Sequence, residues 1–191
     1  MRIGLFFGSF NPIHQGHLIL SQFILDQIKL DEIWFVVSPQ NPLKSPIDLY
    51  DERDRLNMVE LAIKDQPLFR VCDIEFDMPR PSYTWDTLTA LAKKHPKNEF
   101  ALILGSDNLQ HFDKWKEHEQ ILLEYDLIVY NRENNPGGDF AKNQKVRLLK
   151  GPMLNISSTQ IRSYLRLGRG IKFMVPREVE EYLVKLKEAE E

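Results

Sequence analysis

The chain has 191 residues, of which 42% are hydrophobic and 28% are charged, and these proportions are typical of a globular protein with a substantial core. Its 25 basic and 28 acidic residues give a net charge of −3, which does not favour binding to nucleic acid or to an anionic membrane. The lone Cys72 excludes an internal disulfide, and no apolar run approaches the about 20 residues that span a bilayer, so we expect a cytoplasmic protein.

Short apolar runs alternate with amphipathic segments along the whole chain. In chain order, the predicted strands are residues 2–7, 32–37, 68–73, 99–104, 126–130 and 146–149. The predicted helices are residues 17–29, 51–64, 84–94, 115–123, 158–167 and 177–190. Several strands are apolar at consecutive positions, as expected where both faces of a sheet are covered. The order predicts an α/β fold, a Rossmann-like doubly wound parallel sheet with helices on both faces.

The same pattern shows no linker and no internal repeat, so we expect one domain over residues 1–191, with a helical C-terminal portion from about residue 157. Cys72 lies in an apolar stretch, which favours a buried thiol over a catalytic one.

A glycine-led turn joins the first predicted strand to the first predicted helix. It reads Gly8-Ser9-Phe10-Asn11-Pro12-Ile13-His14-Gln15-Gly16-His17. Such a turn presents backbone N–H groups to an anion at the carboxyl edge of a parallel sheet. His14 and His17 lie three positions apart, so both side chains project from the same side of the helix start. We therefore expect phosphate binding here, although the glycines could also serve tight backbone geometry alone.

Two further polar segments follow predicted strands at the same edge of the sheet. Residues 105–107, Gly-Ser-Asp, follow the fourth strand, and residues 155–162, Asn-Ile-Ser-Ser-Thr-Gln-Ile-Arg, follow the sixth. In the second segment, hydroxyl groups at a helix start and Arg162 one turn later suit a phosphate, and an ordinary helix cap is the alternative. Asp107 could accept hydrogen bonds from ribose hydroxyls or cap the turn that follows it.

Four blocks carry a resemblance to a known family. The glycine-led turn resembles the phosphate-binding signature of the nucleotidyltransferase superfamily, a strand followed by Gly-(Ser/Thr)-Phe-(Asp/Asn)-Pro-x-His-x-Gly-His, and residues 155–162 resemble its second signature. Residues 81–88, Pro-Ser-Tyr-Thr-Trp-Asp-Thr-Leu, and the Gly-Ser-Asp segment with Trp115 and Lys116 after it resemble bacterial nicotinate-nucleotide adenylyltransferases. The blocks occur in the family's order over residues 8–162.

The resemblance implies a reaction of NAD biosynthesis, the transfer of AMP from ATP to nicotinate mononucleotide with release of pyrophosphate. The chain offers many hydrogen-bond donors and no obvious nucleophile with an adjacent base, so we expect direct in-line attack. The expected metal is Mg²⁺, held mainly by ATP oxygens and water, with no metal site made of protein ligands. The implied catalytic residues are His14, His17 and Arg162. The implied ATP-binding residues are Gly8, Ser9, Phe10, His14, Gly16, His17, Gly105, Asp107, Ile156, Ser157, Ser158, Thr159 and Arg162. The implied mononucleotide-binding residues are Asn11, Lys44, Tyr83, Thr84 and Trp115.

Within this set, the resemblance gives Trp115 the role of stacking on the pyridine ring, and N–H groups near Tyr83 and Thr84 that of binding its carboxylate. The sequence departs from the family at Asn11, where many bacterial members have Asp, and at Leu43, where a histidine is common. These departures bear on the choice between an acid and an amide substrate.

Other functions stay open at this point. Nicotinamide mononucleotide adenylyltransferase and phosphopantetheine adenylyltransferase share the chemistry, and a non-catalytic module that senses ATP or NAD is the alternative from another class. A dinucleotide oxidoreductase is disfavoured because the first turn lacks a Gly-x-Gly-x-x-Gly pattern. The expected partners are ATP and nicotinate mononucleotide, with neither nucleic acid nor membrane, and the resemblance is compatible with a homodimer.

Overall fold

A computed structural model describes residues 1–40, 49–131 and 138–190. Within these ranges, six parallel strands form a sheet in the order β3-β2-β1-β4-β5-β6. The strands are β1 Arg2–Gly8, β2 Glu32–Val37, β3 Phe69–Cys72, β4 Glu99–Gly105, β5 Asp126–Tyr130 and β6 Val146–Leu149. The predicted strands are confirmed to within one residue at each end.

Helices follow most strands. They are α1 Gln15–Ile28, α2 Glu52–Ile63, α3 Thr84–Lys94, α4 Ser106–Leu109, α5 His118–Glu124, α6 Ser158–Arg166 and α7 Arg177–Glu190. Short 3-10 turns occupy Ile74–Asp77, Phe112–Lys114 and Asp139–Lys142.

The predicted helix over residues 115–123 is wrong at its start. Trp115 has an extended backbone after a 3-10 turn, and Glu117 has a left-handed backbone with φ of 52°, so helix α5 begins only at His118. A left-handed residue cannot continue a right-handed helix. The correction leaves Trp115 in a loop, where its side chain is not committed to a helix face.

The helices cover both faces of the sheet. On one face, apolar side chains of α1, α2, α6 and α7, among them Ile24 and Leu183, share a core with Phe6 of β1. Helices α3, α4 and α5 cover the opposite face of the sheet. There, Leu5 of β1 belongs to a second core with Leu88 of α3. Alternate residues of one strand thus enter different cores, which confirms the predicted doubly wound, Rossmann-like fold.

The strand order reverses between β1 and β4, which are hydrogen-bonded neighbours. Gly8 ends β1 and Gly105 ends β4, so both glycines lie where the connections leave toward opposite faces of the sheet. In open α/β sheets, ligands bind in the crevice outside such a reversal. None of the helices in the described ranges is long and apolar enough to cross a membrane.

Candidate functional site

The turn after β1 is shaped by two close contacts between glycines and aromatic rings. A Cβ atom on Gly8 would lie 2.9 Å from Cζ of Phe10, a buried residue whose backbone is left-handed with φ of 43°. A Cβ atom on Gly16 would lie 3.0 Å from Nδ1 of His14. A side chain at either position would therefore push the Phe10 or the His14 ring from its place.

The two histidines form a stacked pair at the start of α1. Their ring centroids are 3.7 Å apart and their planes are inclined by 25°. His14 is the N-cap residue of α1, and its backbone N–H donates to Nδ1 of His17 at 3.2 Å. A neutral imidazole that accepts at Nδ1 carries its proton on Nε2. The Phe10 and His17 rings pack in a T-shaped arrangement with 5.2 Å between centroids, which restricts rotation of the imidazole.

Buried Arg55 of α2 organises the main chain around this turn. Its guanidinium donates to the carbonyl oxygens of Ser9, Ser38, Pro39 and Tyr50 at 2.7 to 3.1 Å. Burial lowers the pKa of Arg55, although the nearby carboxylates of α2 oppose that effect. The loops that follow β1 and β2 are therefore held by one side chain from a third element.

Helix α6 braces the same turn from the other side. Arg162 Nη1 donates to the carbonyl oxygen of Asn11 at 2.8 Å, and Ser158 Oγ donates to that of Pro12 at 2.9 Å. Arg162 Nε is buried without a hydrogen-bond partner among the described residues. The two sequence signatures, separated by about 150 residues, thus meet in space as the fold predicts.

Two further residues of these segments, Ser157 and Asn11, accept hydrogen bonds from backbone N–H groups. Ser157 caps α6, because its Oγ accepts the backbone N–H of Gln160 at 3.2 Å. The Oδ1 atom of Asn11, which is 2% exposed, accepts the backbone N–H of Tyr50 at 2.9 Å. Both contacts give these side chains a structural role in addition to the binding roles that the resemblance implies.

A cavity of about 400 Å³ opens beside the turn, outside the reversal of the strand order. Gly8 belongs both to the turn and to the wall of this cavity. The wall is formed by Phe6, Phe7, Gly8, Ser38, Glu75, Ser82, Tyr83, Thr84, Leu102, Ile103, Leu104, Gly105, Asn108, Lys114, Trp115, Lys116 and Tyr130. Apolar walls with few polar groups are typical of sites for small ligands.

Buried Glu75 organises one wall of the cavity. Its Oε2 accepts from Ser82 Oγ at 2.7 Å and its Oε1 accepts from Thr87 Oγ1 at 2.8 Å. Ser82 precedes helix α3 and Thr87 lies in its first turn, so the carboxylate fixes both sides of Tyr83 and Thr84. The N–H groups at a helix start have no partners within the helix, and α3 directs its start toward the cavity.

Trp115 and Lys116 also line the cavity. The Trp115 ring packs on buried Phe112 with 5.2 Å between centroids. Lys116 Nζ lies 2.8 Å from both carboxylate oxygens of Asp86 and 5.4 Å from the centre of the Tyr83 ring. An ion pair and a ring contact therefore join the Trp115 segment to the start of α3.

The structure brings many of the predicted site residues together, but not all. Gly8, Gly105, Tyr83, Thr84 and Trp115 line the cavity, whereas the histidines and the α6 signature surround the adjoining turn. Asp107 lies exposed in the first turn of α4, and its neighbour Asn108 lines the cavity instead. Lys44 lies outside the described residues.

Two functional side chains escaped the sequence analysis. Arg55 gave no local signal, because three of its four carbonyl partners lie 16 to 46 positions away. Glu75 follows β3 at the carboxyl edge of the sheet, and that position could have marked it.

No group of three or more His, Cys, Asp or Glu side chains that could hold a metal ion occurs among the described residues. Cys72 is buried, and burial raises the pKa of its thiol. This setting suits a core side chain and opposes thiolate chemistry.

Comparison with known proteins gives concordant results. The family model described as cytidylyltransferase-like matches residues 5–164. A protein of Cytophaga hutchinsonii named "Probable nicotinate-nucleotide adenylyltransferase" is 49% identical over 187 residues, which cover 98% of this chain and 97% of that protein.

Two solved structures of one Plasmodium falciparum protein also match. Its nicotinic acid mononucleotide adenylyltransferase complexed with NaAD superposes with a TM-score of 0.79 at 26% identity and covers 97% of this chain and 96% of its own. The same protein complexed with APC gives a TM-score of 0.78 at 25% identity, with the same coverage.

Proposed function

This chain belongs to the cytidylyltransferase-like family and, within it, to the nicotinate-nucleotide adenylyltransferases, and we propose that it transfers AMP from ATP to nicotinate mononucleotide. The 5′-phosphate oxygen of the mononucleotide attacks the α-phosphorus of ATP, the bond from that phosphorus to the bridging oxygen breaks, and pyrophosphate leaves. The products are nicotinate adenine dinucleotide and pyrophosphate. The observation that carries this proposal is the meeting of the histidine turn, the α6 signature and the cavity at one reversal of the strand order.

On the turn side, His14 and His17 bind the phosphate oxygens of ATP and stabilise the negative charge of the transition state. The hydrogen bond from the His14 backbone to Nδ1 of His17 supports this role, because it leaves the proton on Nε2 as a donor to an oxyanion. The backbone contacts of Arg55 and Arg162 keep both rings in place before the substrate binds. No side-chain nucleophile is needed for this transfer.

The start of α6 and the β1 turn together provide the ATP site. We assign to it Gly8, Ser9, Phe10, Gly16, Gly105, Asp107, Ile156, Ser157, Ser158, Thr159 and Arg162, with the two histidines. Arg162 places a guanidinium group beside the turn, and its positive charge suits a phosphate there. The nine residues of α6 direct the positive end of the helix dipole toward the same turn.

The cavity accepts the mononucleotide. The Trp115 ring stacks on the pyridine, and the N–H groups at the start of α3, near Tyr83 and Thr84, bind the carboxylate. The volume of about 400 Å³ and the mainly apolar wall suit a planar ring. Asn11 and Lys44 complete the mononucleotide-binding set.

Mg²⁺ enters with ATP as part of the substrate. We propose that triphosphate oxygens and water supply most of its ligands. Its chemistry is to neutralise charge on the phosphates.

We also propose that residues 1–191 form one domain, since α6 and α7 share an apolar core with α1 and α2. The same proposal includes a cytoplasmic location and no binding of nucleic acid or membrane. It also includes a homodimer, and sedimentation can test that oligomeric state.

The decisive experiment measures pyrophosphate release from MgATP with nicotinate mononucleotide, nicotinamide mononucleotide and phosphopantetheine in parallel. We expect turnover with the nicotinate substrate and a loss of about 10²- to 10³-fold in kcat for His17→Ala. His95→Ala is the matched control, because His95 follows the far end of α3, away from the cavity, and should leave kcat unchanged. Nucleotide binding without turnover would favour a sensing module, and preference for another acceptor would overturn the substrate assignment.

A further inference from the structure

Basic side chains outnumber acidic ones in the described wall of the cavity. Among the described wall residues, Lys114 and Lys116 are basic and Glu75 is acidic. Both carboxylate oxygens of Glu75 already accept hydroxyl hydrogen bonds, and the residue is 2% exposed. The electrostatic character of the accessible wall is therefore set mainly by its lysines.

Lys116 is held with its charge at the rim. Its Nζ lies 5.4 Å from the centre of the Tyr83 ring, which itself lines the cavity, and 2.8 Å from the Asp86 oxygens. Asp86 does not belong to the wall, so the ion pair presents its positive end to the cavity. A lysine is charged at neutral pH, and the hydrogen bond to Asp86 raises the pKa of Lys116 further.

Nicotinate and nicotinamide mononucleotides differ only at the ring substituent, a carboxylate in the first and a neutral carboxamide in the second. We propose that Lys116 is a specificity-determining residue, whose charge at the cavity rim favours the acid over the amide. The inference rests on the proposed function and extends it to the choice of substrate. The start of α3 supplies N–H groups that either substituent can accept from, whereas a fixed cation distinguishes a charged group from a neutral one.

A purely mechanical role for Lys116 makes a different prediction. If the ion pair only fastens the Trp115 segment to α3, a substitution of either Lys116 or Asp86 weakens the binding of both mononucleotides alike. If the charge matters, the two sides have opposite effects. Removing Lys116 reduces the preference for the acid, and removing the charge of Asp86 increases it, because the lysine is then no longer neutralised.

The test measures kcat/KM for both mononucleotides with MgATP, at low and high salt. In Lys116→Met, we expect the ratio of acid to amide to fall about two- to fivefold, mainly through the KM for the acid, because an exposed ion pair is partly screened. In Asp86→Asn the ratio should rise by a similar factor, and Lys116→Arg should retain it. The difference between Lys116→Met and the unsubstituted enzyme should shrink at high salt.

Lys97→Met is the matched control, since Lys97 is exposed beyond the far end of α3 and should not change the ratio. Equal losses for both substrates in Lys116→Met and Asp86→Asn, with no dependence on salt, would overturn the inference while leaving the proposed function intact. Absence of pyrophosphate release by the unsubstituted enzyme with either mononucleotide would overturn the proposed function, and this inference with it.

Discussion

The two sides of the site are held in different ways. On the turn side, two buried or partly buried arginines donate to main-chain carbonyl oxygens, and the rings of the histidines stack inside a closed turn. On the cavity side, contacts run between side chains, and the Lys116–Asp86 pair is 44% and 38% exposed. Main-chain contacts are insensitive to the identity of the side chains that they hold, whereas side-chain pairs change with each partner. The proposed phosphate-binding histidines therefore sit on a main chain braced by buried contacts, whereas Lys116 is held by an exposed side-chain pair.

The largest expected effect comes from removing the centre of the turn side. Arg55→Met leaves four carbonyl oxygens without their donor, and we expect a loss of about 3 kcal/mol in the free energy of unfolding. Denaturant titration measures it. Arg53→Met, on the exposed face of the same helix, is the control and should change stability by less than about 0.5 kcal/mol. A tolerated Arg55→Met would show that the loops after β1 and β2 hold themselves.

A smaller change on the same side should separate stability from activity. In Gly16→Ala, the new Cβ displaces the His14 ring, and we expect kcat to fall about tenfold, with a change in stability of less than about 1 kcal/mol. Steady-state kinetics and thermal unfolding measure the two quantities. Gly170→Ala is the control, because nothing lies within 4 Å of a Cβ there. Full activity in Gly16→Ala would mean that the position of the His14 ring is not critical.

On the cavity side, Glu75→Gln should affect one substrate and spare the other. The amide cannot accept from Ser82 and Thr87 in the way that a carboxylate does, so the start of α3 loosens at a cost of about 1–2 kcal/mol. We expect a higher KM for the mononucleotide and an unchanged KM for ATP. Asp77→Asn, exposed in the same 3-10 turn, serves as the control. Equal increases in both KM values would contradict the division between the two sides.

The smallest expected effect is a change in how often the apolar core that contains Cys72 opens, and the labelling rate of its thiol measures it. Its pKa is raised by burial, so alkylation by iodoacetamide at neutral pH should be slow in the folded protein and fast in denaturant. The thiol contributes to stability below its unfolded pKa, and this contribution is lost as the pH rises above that value. Glu75→Gln should accelerate the labelling, and Gly16→Ala should not. Identical labelling rates in the two variants would show that Glu75→Gln does not loosen the core around Cys72 more than Gly16→Ala does.

The sequence predicted elements whose signals are local. Apolar strands such as β1 and helices with clear periodicity were placed to within about two residues, and the motif residues fell at the carboxyl edge of the sheet. The start of α5 was misplaced because the left-handed backbone of Glu117 has no signature in a residue type that rarely adopts it. The role of Arg55 depends on contacts that reach as far as 46 positions along the chain, which no local pattern reveals. The hydrogen bonds of Glu75 span 7 and 12 positions, and its only sequence signal is its place after β3 at the carboxyl edge of the sheet.

The braces on the histidine turn have a consequence during protein synthesis. Ser158 and Arg162 bind carbonyl groups made 146 and 151 positions earlier, and the Met174 carbonyl accepts the backbone N–H of Gln15. At about 5–20 residues per second, roughly seven to thirty seconds separate the translation of the two partners. A nascent chain thus contains both histidines long before α6, which braces their turn, has been synthesised. Ribosome-bound fragments that end before α6 should bind nucleotide poorly, and competence should arrive abruptly near the completion of the polypeptide.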